Sequence, residues 1–260
     1  MNAILMFGAT ACSQVNFNPT NPLTDTSAQL GVTQPKGPAC DGNLGTTKKP
    51  TKMLFIVDMS GSNQELAGCT LGPNCTDAGK VMRAGSITRF FTHYGNRGNF
   101  SWAFENFQGK TSTPFITNGG LPVFSDANAM QTAITTFKGI SDAGGTPYMA
   151  ALNVATQTIA NDPDLNSATI DPQYIVVFMS DGQPDSGESA STILNQVNTL
   201  VNLHPGKISF NAVYYGTNDA TAAGLVQSMS QIGHGNFLNT AVNPTGLDFE
   251  ISDLVNVPCP

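Results

Sequence analysis

The chain has 260 residues, of which only 11% are charged, and its formal net charge is −7. Its 11 lysines and arginines are dispersed along the chain, which argues against a nucleic-acid-binding protein with a concentrated basic surface. No apolar run approaches the roughly 18 residues that a membrane-spanning helix needs. The low charge and the abundance of Gly, Asn, Thr and Ser are typical of a secreted protein, and the length suits one full-sized domain with a tail.

The N-terminal stretch "MNAILMFGATACSQ" is apolar and then carries small residues directly before Cys12. This order resembles the end of a bacterial lipoprotein signal, in which the cysteine becomes the lipidated first residue of the mature protein. The stretch lacks Lys and Arg and is short for such a signal, so Met1 is either the true start or an internal one. We interpret residues 1–11 as a signal segment and Cys12 as a lipidation site. An ordinary secretory signal, or a tail with a free thiol, is the alternative.

Residues 12–50 are polar and rich in Pro, Thr and Asn, without periodicity, which predicts a tether ahead of a domain at 51–257. Apart from Cys12, the cysteines are even in number and allow three connectivities. We favour Cys69 with Cys75, which bracket the turn-forming segment "TLGPN", and Cys40 with Cys259, which flank the domain. Both pairs imply an oxidising compartment.

From Thr51 onward, strand and helix patterns alternate. The run "KMLFIVDM" is short and continuously apolar, which predicts a strand that is buried on both faces. Next come a predicted helix, a strand and a second helix, which starts at a capping Ser125 or Asp126. These three segments are "AGKVMRAGSITRFFTHYG", "NFSWAFENFQ" and "SDANAMQTAITTFKG".

The second half repeats the alternation and ends with a last strand near "GNFLNTA" and a final helix near 248–254. The predicted segments between are "PYMAALNVATQTIAN", "QYIVVFMS", "ASTILNQVNTLVNLH", "KISFNAVYYG" and "AGLVQSMSQIG". This order predicts an α/β fold that is doubly wound and Rossmann-like, with a mainly parallel central sheet and helices on both faces. Ligands of such folds bind at the carboxyl ends of the strands.

Oxygen-bearing side chains occur at three places on that predicted edge. Asp58, Ser60 and Ser62 follow the first strand, Thr146 lies in "GGTPYMAAL", and Asp181 follows the strand in "VVFMSDGQPD". Each has an ordinary alternative, because Asp-Gly is a common turn and Thr before Pro is a good helix N-cap. Taken together, hard oxygens without His or Cys suit Mg2+, Mn2+ or Ca2+.

In these three motifs the chain resembles the von Willebrand factor A-type domain family, with its metal-ion-dependent adhesion site. The resemblance covers roughly residues 51–257 and implies that Asp58, Ser60, Ser62, Thr146 and Asp181 form the site. It implies that the serines and, in some states, the threonine bind the ion directly, while the carboxylates often act through water. The ion is expected to be Mg2+, with Mn2+ or Ca2+ as alternatives, and an open position would accept an Asp or Glu from a protein partner.

The segment 63–79 lies between the first motif and its helix, and a Cys69–Cys75 bridge would hold it beside the ion. It either shapes the partner-binding surface or is a stapled solvent loop. Three further side chains are candidates for the rim of the crevice: Glu65, Tyr148 and Gln183.

The sequence therefore predicts a metal-dependent binding or adhesion module of the bacterial cell envelope or exterior. The expected location is the periplasm or the outer-membrane or cell surface, reached through a lipid anchor, and the oligomeric state is left open. An envelope protein in which the metal only stabilises the domain is the alternative. We do not expect an enzyme, since a phosphate-ester hydrolase would need a general base and a phosphate-holding Lys or Arg near the motifs.

Overall fold

The structure, a computed structural model, describes residues 49–64, 76–217, 219–240 and 251–255. The predicted signal segment, most of the tether, Glu65 and all five cysteines lie outside the described residues. The predicted lipidation and both predicted disulfides therefore stay predictions, as do the domain limits. No helix of the described part is long and apolar enough to cross a membrane.

A central, mainly parallel sheet organises the domain. Its strands are β1 (Thr51–Asp58), β2 (Phe100–Gln108), β3 (Thr111–Pro114), β6 (Gln173–Ser180), β7 (Ile208–Tyr214) and β8 (His234–Asn239), while β4 (Thr117–Asn118) and β5 (Leu121–Pro122) pair separately. The order across the sheet is β3-β2-β1-β6-β7-β8. Only β3 runs antiparallel to its neighbour in this sheet.

Helices cover both faces of this sheet. They are α1 (Val81–Tyr94), α2 (Ala127–Gly139), α3 (Tyr148–Ala160), α4 (Ala190–Val201), α5 (Ala220–Ile232) and the short α6 (Ile251–Leu254). The buried residues form two clusters, one that includes α1, α2 and α6 and another that includes α3, α4 and α5. The predicted doubly wound α/β fold is confirmed.

Strand β1 shows why its sequence is continuously apolar. All eight of its residues are buried. Met53, Phe55 and Val57 join the cluster of α1 and α2, whereas Leu54 and Ile56 join that of α3 and α4. Successive side chains of a strand point to opposite faces, so the central positions of a strand that is covered on both sides are apolar.

Most predicted helix limits lie within a few residues of the observed ones. Asp126, and not Ser125, caps α2, because its Oδ1 accepts a hydrogen bond from the Ala129 N–H at 2.9 Å. Helix α4 ends at Val201, three residues before its predicted end at His204. Helix α5 begins at Ala220, and Asp219 caps it. The short strands β3, β4 and β5 were not predicted, because they have only two to four residues, which is too short to show an apolar period.

The sheet order brings the carboxyl ends of β1 and β6 together. The two strands are parallel neighbours, with Val57 beside Met179. Asp58 therefore ends β1 next to Ser180, and the chain leaves β6 at Asp181. This is the edge at which ligands of open parallel sheets bind.

Candidate metal centre

Asp58 is fixed by its own loop and by the neighbouring strand. It is completely buried. Its Oδ1 accepts a hydrogen bond from the Ser60 N–H at 2.7 Å, and its Oδ2 accepts one from the Ser180 Oγ at 2.5 Å. The carboxylate is thus held before any ligand arrives, and it orients the start of the loop that carries the two serines.

A chain of hydroxyls connects this loop to Asp181. The Oγ atoms of Ser60 and Ser62 lie 3.0 Å apart, and the Ser62 Oγ donates to the Asp181 Oδ1 at 2.9 Å. The Asp181 Oδ2 is buried and has no hydrogen-bond partner among the described residues. An unpaired buried carboxylate oxygen is costly, so this atom marks a place where a cation fits.

The loop that carries Thr146 packs directly on the loop that carries Ser60 and Ser62, which we call the serine loop. The Gly61 N–H donates to the Gly144 carbonyl at 2.9 Å, and a Cβ atom on Gly61 would lie 3.3 Å from that oxygen. Gly144 itself has a φ of +72°, and a Cβ there would come within 2.8 Å of the Gly109 Cα. Glycine is required at 144 for both reasons, since its backbone conformation and its close approach exclude a side chain.

Thr146 is held through its backbone, which leaves its hydroxyl available. The Thr146 N–H donates a hydrogen bond to the Asp185 Oδ1 at 2.7 Å. In return, the Asp185 N–H donates to the Thr146 carbonyl at 3.1 Å. Helix α3 starts at Tyr148 without a side-chain cap, so Thr146 is not the N-cap that the alternative interpretation requires. Among the described residues, no hydrogen bond uses the Thr146 Oγ1.

The surroundings of Asp58 disfavour its charged form. Burial raises the pKa of Asp58 to about 7, and the nearby charge of Asp181 adds to this rise, while the hydrogen bonds from Ser180 and Ser60 oppose it. A divalent cation between the carboxylates would reverse this balance, because an opposite charge favours the ionised form.

The donor set fits a hard cation that keeps part of its water shell. In the described part of the chain, no three His, Cys, Asp or Glu side chains come close enough to hold a metal. A cation here would thus rely on Ser60, Ser62 and Thr146 hydroxyls beside only two carboxylates. Mg2+ is commonly bound by one or two carboxylates with several retained waters, so the residues present fit this ion.

The structure does not support one of the predicted rim residues. Tyr148 is completely buried, and its hydroxyl donates to the Gly182 carbonyl at 2.7 Å. The prediction that it lies on the rim is therefore wrong: it supports the Asp181 loop from below. Gln183 is exposed and donates to the Asp219 Oδ2 at 2.8 Å, so it remains a candidate rim residue.

Sequence reasoning also missed several residues that hold the loops in place. Asp185 and Glu188 bind the backbone N–H groups of Thr146 and Met149, and Arg83 and Asp142 form a buried ion pair below the serine loop. Asp185 lies four residues after Asp181, and its position in the sequence alone does not make it a ligand. The geometry assigns it to the positioning of Thr146.

Comparisons with known proteins identify the fold. No protein-family model and no curated protein matches this chain. Among solved structures, the SpRpn10 VWA domain superposes with a TM-score of 0.52 at 7% identity, over 77% of this chain and 92% of that domain. A von Willebrand factor type A protein from Catenulispora acidiphila gives 0.50 at 15% identity, over 74% of this chain and 38% of that one.

A pilus adhesin, SpaC from Lactobacillus rhamnosus GG, is also similar, with a TM-score of 0.51 at 13% identity over 77% of this chain. The match covers only 29% of SpaC, so this chain spans less than two thirds of both longer proteins. The likeness at such low identity concerns the fold. With its sheet order and its two layers of helices, the chain has the fold of a von Willebrand factor A domain.

Proposed function

We propose that the domain binds one divalent cation at Asp58, Ser60, Ser62, Thr146 and Asp181, and through it holds an acidic side chain of a partner protein. The observation that carries the proposal is the buried, unpaired Asp181 Oδ2 beside the linked hydroxyls of Ser60 and Ser62. A cation at this place would give that oxygen the partner it lacks.

Each side chain has a separate task in this proposal. Ser60, Ser62 and Thr146 supply neutral oxygens, and Asp58 and Asp181 supply two negative charges that balance the ion. When bound, the cation would offer an incomplete shell to a carboxylate from outside. That attraction exceeds its value in bulk water, because the site is partly buried and the local dielectric is low.

The ion that suits these groups is Mg2+, with Mn2+ or Ca2+ as alternatives. Mg2+ dehydrates reluctantly and favours an octahedral shell with retained waters, which suits few direct protein ligands. Ca2+ takes six to eight oxygens, so these five side chains would need added water molecules to complete its shell. Mn2+ shares the preference for oxygen ligands and is the spectroscopic substitute of choice.

The module would act in the bacterial cell envelope or outside the cell, as a binding module and not as an enzyme. A pilus adhesin among the similar structures supports a surface role, although the likeness itself concerns only the fold. The tether after Cys12 would place the domain at a distance from a lipid-anchored N-terminus. Mass spectrometry of the protein from its native envelope should find Cys12 lipidated, and an unmodified Cys12 would reject the anchor.

Calorimetric titration of the metal-stripped full chain tests the cation site. The parent should bind one equivalent of Mg2+, and Asp58→Ala and Asp181→Ala should lose that binding while they remain folded. Asp171→Asn is the control, because this exposed aspartate pairs with Lys49 and Lys207 away from the strand ends that form the site. No binding by the parent, or equal binding by all variants, would reject the site.

The competing function is an envelope protein in which the metal only stabilises the domain. Both functions predict a higher unfolding temperature with metal, since a ligand of the native state stabilises it. They differ in what happens to a partner. Only the adhesion function predicts that a chelator abolishes binding of an acidic protein partner while circular dichroism shows an intact fold.

A further inference from the structure

A fully buried arginine contacts the backbone of one of the proposed site residues, Asp58. Arg83, in the first turn of α1, has no exposed surface. Its Nη1 donates to the backbone carbonyl of Asp58 at 2.5 Å. Arg83 therefore fixes the peptide group at which β1 ends and the serine loop begins.

The same guanidinium holds the loop that leads to Thr146. Its Nη1 and Nη2 atoms bind the Asp142 Oδ1 and Oδ2 at 3.0 and 3.1 Å, which is a bidentate pair. One residue further on, the Ala143 N–H donates to the Met59 carbonyl at 2.8 Å. Through Asp142, Arg83 thus connects the second ligand-bearing loop to the first.

A third contact anchors the start of α1. The Arg83 Nε binds the Asp77 Oδ2 at 2.8 Å, and the Nη2 donates to the Asp77 carbonyl at 3.2 Å. These contacts, with those to Asp58 and Asp142, match the five N–H donors that a guanidinium has. Lys80 joins the group, because its Nζ lies 3.3 Å from the Asp142 Oδ2. Two cations and two carboxylates therefore balance in charge.

Stability alone does not explain such a cluster. The cost of burying ions commonly offsets their attraction, and apolar residues of the same volume often serve a fold equally well. What apolar residues cannot do is fix the direction of a carbonyl and a carboxylate together. Lysine cannot replace the planar fork of arginine in this geometry, since its ammonium is a single point charge.

We propose that Arg83 is a positioning residue of the metal site. It sets the separation between the Asp58–Ser62 segment and the Asp142–Thr146 loop. This separation in turn sets the affinity of the site for the cation and the symmetry of the ligands around it. This inference rests on the proposed cation binding at that site. Residues that orient metal ligands from behind typically change affinity about ten- to hundred-fold when they are replaced.

The chain offers a matched control at the opposite end of the same strand. Lys52, also in β1, is buried, and its Nζ lies 3.2 Å from the Asp162 Oδ2 and 2.7 Å from the Asp164 Oδ2. The Tyr174 hydroxyl donates to the same Asp162 oxygen at 2.9 Å. This second buried ionic cluster resembles the first in chemistry but touches none of the proposed ligands.

The experiment compares the full chain with Arg83→Lys, Arg83→Met and Lys52→Met. Mn2+ affinity is measured by titration followed by electron paramagnetic resonance, and stability by urea unfolding without metal. Both Arg83 variants should bind Mn2+ about ten-fold or more weakly and give an altered spectrum of the bound ion. Lys52→Met should lose stability yet keep its affinity within two-fold of the parent.

A second variant and a metal-free measurement cover the case in which Arg83→Met does not fold. Asp142→Asn keeps the shape of the side chain but removes its charge, and it should weaken Mn2+ binding in the same direction. In folded, metal-free protein, hydrogen exchange of the Gly61 N–H, which bonds to the Gly144 carbonyl, should accelerate in Arg83→Lys and not in Lys52→Met.

The outcomes separate the two proposals. If the parent binds Mn2+ and the Arg83 variants bind it equally well, the positioning role is wrong and the metal site stands. If Lys52→Met weakens binding as much as the Arg83 variants do, the effect is general loss of stability and the inference is overturned. If the parent does not bind, the proposed function fails and this inference fails with it.

Discussion

The replacement Ser180→Ala probes the support of Asp58 without touching a proposed ligand. The Ser180 Oγ donates to the Asp58 Oδ2 at 2.5 Å, and both residues are completely buried. Water cannot take the place of the lost hydroxyl in such surroundings. At pH 8, above the raised pKa of Asp58, the lost bond is one to a charged group.

A hydrogen bond to a charged partner contributes about 1.5–3 kcal/mol to the free energy of unfolding. For a domain of about 200 residues, a loss of about 2 kcal/mol lowers the unfolding temperature by roughly 4–8 °C. Urea and thermal unfolding of metal-stripped protein at pH 8 measure both quantities. Mg2+ affinity should fall as well, because Asp58 would lose the contact that orients it from the neighbouring strand.

The control is Ser209→Ala in β7, where a half-buried hydroxyl lies 3.5 Å from the Tyr174 carbonyl. A bond this long is weak, so the change should cost less than about 0.5 kcal/mol. A loss in Ser180→Ala no larger than that of the control would refute the reasoning, since it would show that Asp58 does not depend on Ser180.

Further predictions concern charge and covalent links. Burial raises the pKa of Glu105 well above 4.5, so its contribution to stability is present below pH 4.5 and is lost as the pH rises toward the folded value. Relative to the parent, Glu105→Gln should thus gain in unfolding free energy between pH 5 and pH 8; an equal difference at both values would mean that Glu105 is charged in the folded domain. Peptide mapping without reductant should find Cys69 linked to Cys75 and Cys40 linked to Cys259, and any other pairing would reject our assignment.

Buried strands were the best-predicted part of the fold. The segment "QYIVVFMS" coincides with β6, and the first apolar run ends at the predicted Asp58. Continuous burial leaves a strong signal because the central positions of such a strand are apolar on both faces. The β3 to β5 strands carry no such signal, since their side chains are largely exposed and only their backbone pairs.

Side chains that act at a distance in sequence were the hardest to predict. Arg83 contacts Asp58 and Asp142, which are 25 and 59 residues away, and nothing in a local pattern distinguishes it from a solvated helix residue. Asp185 reaches Thr146 over 39 residues in the same way. Such pairs depend on loop conformations that periodicity does not encode.

The error at Tyr148 could have been avoided. The sequence made Tyr148 a candidate for the rim of the crevice, but Leu152, Ala155 and Ile159 follow it at helical spacing. All four are buried on one face of α3. The helical period therefore indicated the core, and a polar tip on an aromatic ring did not outweigh it.

The most direct test of the account is a crystal structure of the full chain grown with Mn2+, with anomalous diffraction data collected to locate the ion. We predict one anomalous peak in direct contact with the Ser60 and Ser62 hydroxyls and beside the Asp181 carboxylate, with Asp58 still bound to Ser180. A peak at another place, or none at this edge of the sheet at saturating Mn2+, would contradict the central claim that these residues form a cation site.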